Sequence, residues 1–367
     1  MIQTDYPSAR TAAQRVVSHL TASEELPDVD VIEAMIHAAF WTSLRREEGH
    51  TPKVSLAFVP PTLTPTAMIF DRPISFEALP LTRVGVAVER PGLHLGVWRE
   101  GDELFVWGAT RTLPPCCFVL EVIAPGLLII KQSRGEDSGK FINVAVLEAD
   151  QIKVIDQQAA TVPDCPALLT SLLGLESQFA SSHSVNVLIQ LAVSTRAHGR
   201  GGTLLVVPTG AEKWRQSILA PITYSVAPAF SGLADLMQQD PNERPRSRWR
   251  DALRQAVDAI AGLTAVDGAK IITDRYELLA FGAKIVRRTE RPLIDKVIVT
   301  EPIEGASAMI IEPAQLGGTR HLSAAQFVHD QQDAIALVAS QDGRFTVFAW
   351  SPCEGMVHAH RIETLLL

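Results

Sequence analysis

The sequence predicts an α/β (α+β) chain: a smaller helical/β domain, then a mixed sheet covered by helices. Three observations predict it. Residues 52–156 hold a succession of short β-rich runs separated by prolines and glycines. Residues 203–208 (TLLVVP) are nearly all apolar, as a strand buried on both faces of a helix-covered sheet must be. Residues 249–263 place Trp249, Leu253, Ala256, Val257, Ile260 and Leu263 at helical spacing just before a strand at 270–273.

The 367 residues are enough for two domains with proper cores. In the first, residues 12–20 form a short amphipathic segment. A second helix is expected with Asp28 or Asp30 as N-cap, Ile32, Met35, Ile36, Ala39, Phe40 and Leu44 on its apolar face, and Gly49 as its stop. The runs VSLAFV, TRVGVAVE, HLGVWRE, ELFVWGAT, CFVLEVI, GLLIIKQ and INVAVLE then read as strands. Residues 99–103 read as a hairpin turn that would set Trp98 and Trp107 facing each other. Pro163, Pro166 and Ser181-Ser182 mark a connector. The expected organisation is therefore a first domain over 1–165, a connector over 166–182, a second domain over 183–353 and a tail over 354–367.

The second domain opens with a helix over 184–198, carrying Val185, Leu188, Ile189, Ala192 and Val193 on one face. The following HGRGG lacks GxxxxGK[ST] and precedes a strand, so it reads as a tight turn and not a Walker loop. Residues 209–245 are expected to be irregular, with short helices at 214–219 and 229–237, and 287–316 reads as a charged insertion. A strand over 334–340, the Asp342-Gly343 turn and a strand over 345–350 form a hairpin. His358 and His360 are expected on an exposed tail.

Composition limits the function classes. With 33 Lys+Arg against 41 Asp+Glu the net charge is −8, so a general nucleic-acid binder is not expected, although a nucleotide needs only a few local donors. No uninterrupted apolar run is long enough to span a membrane, and no signal peptide is evident, so the chain is expected to be cytoplasmic. Cys116, Cys117, Cys165 and Cys353 show no CxxC spacing and read as reduced thiols.

Two polar motifs stand in apolar surroundings. Asp267-Gly268-Ala269 lies where the helix over 249–263 turns into the next strand. A carboxylate there can hold a divalent metal or orient a hydroxyl, although Asp-Gly alone is also an ordinary turn. Thr319-Arg320-His321 follows Gly317-Gly318 and precedes a helix beginning near Ser323. An Arg at a helix N-terminus suits phosphate oxygens, although a capped helix with a solvated Arg would look the same.

Taken together, DGA at 267–269, GTRH at 318–321 followed by Leu322 and Ser323, and the VASQDG hairpin resemble the diadenylate cyclase (DAC) family. The family condenses two ATP into cyclic di-AMP. The resemblance covers the C-terminal half. The strands HLG-x-W and WG of the first domain resemble the probable sensor domain that precedes certain DAC domains. The resemblance implies a metal, Mg²⁺ or Mn²⁺, on Asp267, which would also help activate the 3′-hydroxyl. It implies a nucleotide site shaped by Gly268 and Ala269. Phosphates would be held by Thr319, Arg320, His321 and Ser323, with Ser340 near the same groups. It further implies self-association of facing DAC domains, since one site holds one ATP, and a signal input of unread identity, a ligand or a protein, to the sensor domain.

The sequence departs from the family's RHR pattern at Leu322. Each charge-assisted bond lost from a phosphate clamp is worth ~1.5–3 kcal/mol. Acting only in the transition state, that is about a ten- to a hundredfold loss of rate. The implied function is therefore a sensor-coupled cyclase. The alternative is a catalytically weakened module that binds ATP or cyclic di-AMP for signalling.

Overall fold

The structure, a computed structural model, describes all residues except 1–7, 22–24, 90–91, 102, 134–140, 157–186, 198, 200, 241–246, 264–265, 342 and 367. The chain is mixed α/β with two mixed sheets, organised as two compact units that divide between Ile155 and Asp156. The expected boundary at 165 and the connector at 166–182 lie outside the described residues.

In the first unit α1 (Ala9–Val17) and α2 (Val29–Ser43) precede the sheet. Asp28 caps α2, accepting the Val31 N–H at 2.9 Å. The strands are β1 (Ser55–Phe58), β2 (Met68–Ser75), β3 (His94–Glu100), β4 (Glu103–Thr110), β5 (Phe118–Ala124), β6 (Leu127–Ser133), β7 (Phe141–Glu148) and β8 (Gln151–Val154). They lie in the order β2-β4-β3-β1-β5-β6-β7-β8, with β1 parallel to β3 and the other pairs antiparallel. Ile32, Met35 and Ile36 of α2 bury their side chains with Leu56, Leu95, Phe118 and Leu120 of the sheet, the apolar face their spacing predicted.

Two expectations in this unit are corrected. TRVGVAVE is not a strand: α3 spans Ala78–Gly85 and a 3₁₀ turn spans Val86–Val88. Its apolar residues serve one helical face, with Leu81 buried and Leu79 exposed, and Gly85 packs within contact of Val54, where a Cβ would lie 2.5 Å from a methyl. Nor do Trp98 and Trp107 pair. A register shift between Gly96 and Val97 sets Trp98 opposite Phe105, and Trp98 instead lies against Phe58 with ring centroids 4.6 Å apart. Trp107 lies over Gly96 and donates its indole N–H to the Val59 carbonyl at 2.8 Å. A Cβ on Gly96 would meet that ring at 2.1 Å. Gly96→Ala is therefore expected to displace Trp107 and destabilise this unit by ~1–3 kcal/mol, read from the urea midpoint by tryptophan fluorescence.

Of the cysteines, Cys117 is buried, Cys116 half-buried and Cys353 exposed, all as free thiols; Cys165 lies outside the described residues. Burial pushes the Cys117 thiol up to about 12, so it is inert.

The second unit is a nine-stranded sheet among the described residues. Its strands are β9 (Gly202–Val207), β10 (Tyr224–Phe230), β11 (Ala269–Thr273), β12 (Leu278–Ala283), β13 (Val297–Thr300), β14 (Met309–Ile311), β15 (Ile335–Ala339), β16 (Phe345–Ser351) and β17 (Met356–Arg361). The order is β10-β12-β11-β9-β15-β16-β17-β13-β14, parallel at β11·β9 and β13·β17. Every residue of β9, β11 and β15 is buried, as the apolar run at 203–208 requires. Helices α4 (Val187–Ala197), α5 (Gly232–Gln238) and α6 (Ser247–Gly262) pack on one face. Helix α7 (Thr319–Asp330) packs on the other through Ala324, Phe327 and Val328.

Three further expectations give way here. The stretch over 209–245 contains an edge strand, β10, whose mostly exposed side chains and proline, Pro228, hide its period. The insertion over 287–316 contains β13 and β14. The tail over 354–367 is not exposed: β17 lies between β16 and β13, and His358 and His360 are buried. The His360 imidazole meets the Thr300 hydroxyl at 2.7 Å, and burial drives it down to about 3, so it is neutral. Alternation of Val357 and Ala359 with the two histidines was the strand signal; the polarity of histidine obscured it.

Candidate functional site

Sheet topology brings the two polar motifs together. β9 and β11 are parallel, and β12 and β15 run against them. The starts of β9 and β11, the ends of β12 and β15 and the start of β16 therefore share one end of the sheet. Helix α7 runs back along the sheet before β15, so its first turn reaches the same end. Asp267 precedes β11, Gly201 precedes β9, Lys284 follows β12, residues 340–344 join β15 to β16, and Thr319-Arg320 open α7.

A recess of about 320 Å³ lies there, lined by Leu316, Gly317, Gly318, Thr319, Arg320, His321, Ser340, Gln341 and Arg344. It gathers four of the eight residues expected in the site: Thr319, Arg320, His321 and Ser340. Thr319 and Arg320 are exposed. His321 is buried, with its ring edge-on to Phe348 at 6.1 Å. Gly317 permits this, because a Cβ there would lie 2.7 Å from the His321 Nδ1. Ser340 donates its hydroxyl to the Arg344 carbonyl at 3.3 Å, closing the hairpin turn; Asp342 of that turn lies outside the described residues.

The remaining four stand outside the lining. Ser323 donates its hydroxyl to the Thr319 and Arg320 carbonyls, so it is bonded to its own helix. Ala269 is a core residue, paired with Thr203 and Ala283. Gly268, at φ +124°, crosses the neighbouring strand so closely that a Cβ would lie 2.4 Å from the carbonyl carbon of Gly282. Gly268→Ala would add both backbone strain and a clash with main chain that cannot rotate away. It is expected to cost ~3 kcal/mol or more and to shift the Asp267 turn, checked by thermal melting.

Asp267 has an 84% exposed side chain and accepts a charged hydrogen bond from the Lys284 ammonium. That bond and the charge of Lys284 hold its carboxyl below the usual carboxylate range, and the charge of Arg320 pulls the same way. The two motifs are thus electrostatically coupled, and Asp267 is an ionised, accessible oxygen donor. Among the described residues no group of three or more His, Cys, Asp or Glu is placed to hold a metal. A hard divalent cation on Asp267 would complete its shell with phosphate oxygens and water, a donor set that suits Mg²⁺ or Mn²⁺.

Arg344 was not among the expected site residues. Pairing of Ala339 with Phe345 places Arg344 at the site end of the hairpin. Once that hairpin is drawn, the Arg after Asp-Gly is the available signal. Leu322 is exposed and is not part of the lining.

The arrangement defines a class: a two-unit α/β protein with a cationic recess beside an accessible carboxylate at one end of a helix-covered sheet. Comparison with known proteins adds a family assignment for part of the chain. Residues 21–111 match the family described as "Probable sensor domain DACNV". No curated protein matches the chain. Among solved structures, a double mutant of DacA from Staphylococcus aureus aligns at 13% identity over 47% of this chain and 83% of that one, with a TM-score of 0.24. A likeness of that size says nothing about the site. Among the described residues no helix is long and apolar enough to cross a membrane.

Proposed function

We propose that the chain is a sensor-coupled diadenylate cyclase, condensing two ATP into cyclic di-AMP and two pyrophosphates. The observation that carries this reading is the meeting, at one end of the sheet, of the Asp267-Gly268 turn with the Arg320 recess. The sensor-domain match over 21–111 supports it from the other half of the chain.

The chemistry divides among this chain's residues. Each 3′-hydroxyl oxygen attacks the α-phosphorus of the other ATP. A new P–O bond forms, the bond to pyrophosphate breaks, and the hydroxyl proton passes by way of Asp267 to solvent water. Arg320 and Thr319 hold phosphate oxygens and offset charge as it moves onto the leaving group. Asp267 accepts from the 3′-hydroxyl and orients it. Asp267 would hold Mg²⁺ or Mn²⁺, which would supply charge neutralisation of the triphosphate. One recess holds one ATP, so two copies of the second unit face each other in a closed symmetric contact. The first unit receives a ligand or a protein signal.

One observation favours a second reading. Leu322 is apolar and exposed where the resembled pattern has an Arg, which suits a weakened module that binds ATP or cyclic di-AMP. Purified protein with ATP and Mn²⁺ separates the two. Cyclic di-AMP identified by mass spectrometry establishes the cyclase. A thermal shift with ATP and no product establishes the binding module. Neither result refutes both.

A further inference from the structure

We infer that Arg344 is a second phosphate-binding residue of this site, working with Arg320 on the phosphate tail of a nucleotide. The inference rests on the ATP-binding reading above and names a residue that the motif pattern does not contain.

The argument is one of convergence. Arg320 and Arg344 line the same 320 Å³ recess from separate places in the fold, the first turn of α7 and the turn that leads into β16. Arg320 lies close over Gly201: a Cβ there would stand 3.1 Å from its Nη1 and 2.9 Å from the Ala339 carbonyl oxygen. Arg344 is fixed through its main chain, whose carbonyl takes the Ser340 N–H at 2.9 Å and the Ser340 hydroxyl at 3.3 Å. Arg196, in the last turn of α4, stands next to the same hairpin turn, its Nη2 3.6 Å from where a Gly343 Cβ would be. Arg196 faces the Glu363 carboxylate, which leaves two guanidinium groups, those of Arg320 and Arg344, on one recess of a protein whose net charge is −8. Concentrated positive potential on an acidic protein needs a local reason, and a polyanion in the recess supplies one.

The polar atoms on the walls suit phosphate as well. Two planar guanidinium forks, the Thr319 hydroxyl and the Gln341 amide bring donors in several directions. Among the described residues the lining contains no carboxylate. Leu322 is exposed outside this lining, so Arg344, already in the recess, supplies the second guanidinium that position 322 lacks.

The test compares the native chain with Arg344→Ala, Arg344→Lys and Arg320→Ala by calorimetric titration of ATP, inorganic tripolyphosphate and adenosine. Melting of the unliganded variants confirms folding; Arg344→Gln stands in if Arg344→Ala does not fold. The expected result is a ten- to hundredfold weaker Kd for both ATP and tripolyphosphate in Arg344→Ala. Arg344→Lys should fall between, and adenosine should bind as it does to the native chain. A merely structural role would weaken adenosine equally. Weaker ATP binding in Arg320→Ala with none in Arg344→Ala would overturn this inference and leave the site reading intact. A native chain that binds neither ATP nor tripolyphosphate would overturn both.

Discussion

Asp267→Asn is expected to slow cyclic di-AMP formation about a hundredfold or more while leaving the fold in place. The substitution keeps the side chain's size and removes the charge that, in the function proposed above, would orient the 3′-hydroxyl and receive the cation. Loss of several kcal/mol of transition-state stabilisation corresponds to that factor. Folding should be indifferent, because the side chain is 84% exposed and its partner Lys284 is itself half exposed. Lys284→Met is the informative companion. It removes the same ion pair and keeps the carboxylate, so it should retain activity if the carboxylate acts directly. Product measured by mass spectrometry for the two variants decides the point. Equal loss in both would mean that the ion pair, and not the carboxylate, is what the reaction needs.

The second large effect concerns stability. Lys270 follows the DGA turn in β11 and is 1% exposed. Its ammonium donates to the Ile260 carbonyl at 3.3 Å, one of the carbonyls that the C-terminal end of α6 leaves without a helical partner. Burial depresses its pKa from 10.5 to about 7. The sign follows from proton counting. Between about 7 and 10.5 the unfolded chain holds a proton that the folded chain does not, so this group's contribution to stability rises with pH across that window. Below 7 the cost of the buried charge is present in full, on the order of 5 kcal/mol. Lys270→Met fills the same space without the charge and forfeits one hydrogen bond worth ~1 kcal/mol. It should therefore stabilise the second unit by roughly 3–4 kcal/mol at pH 6. The gain should shrink as pH rises and turn into a slight loss above 10.5. Urea unfolding of both proteins at several pH values measures this; a difference independent of pH would mean that Lys270 does not titrate on folding.

How much of this was legible before the structure depends on which face of each element carried the signal. Strands buried on both faces, such as β9 and β15, announce themselves by composition. Helix α6 did so by period, with Trp249, Leu253, Val257 and Ile260 buried together. Elements at the margins did not. β10 exposes most of its side chains, β14 is three residues long, and β17 alternates histidine with valine and alanine. In α3 a β-branched composition misled, because a single buried helical face decided the conformation. At the site, DGA and TRH were readable as motifs because their spacing from helix and strand was visible. Arg344 was not, since nothing local distinguishes an Arg after a hairpin turn until the register aims it at α7. Ser323 was read as a ligand for its hydroxyl, and helix geometry turned that hydroxyl back on the Thr319 carbonyl.

The position of β17 has a consequence for how the second unit is assembled in time. β13 reaches the rest of the sheet through β17. The hairpin of β13 and β14 is thus synthesised long before the strand that docks it, and its parallel partner arrives from 356–361. Loop closure over that separation must be met before any pairing rewards it, which is a slow class of event. The last step of folding is therefore expected to be the insertion of β17, and until then β13 presents an apolar edge, VIVT, as a site for chaperone capture.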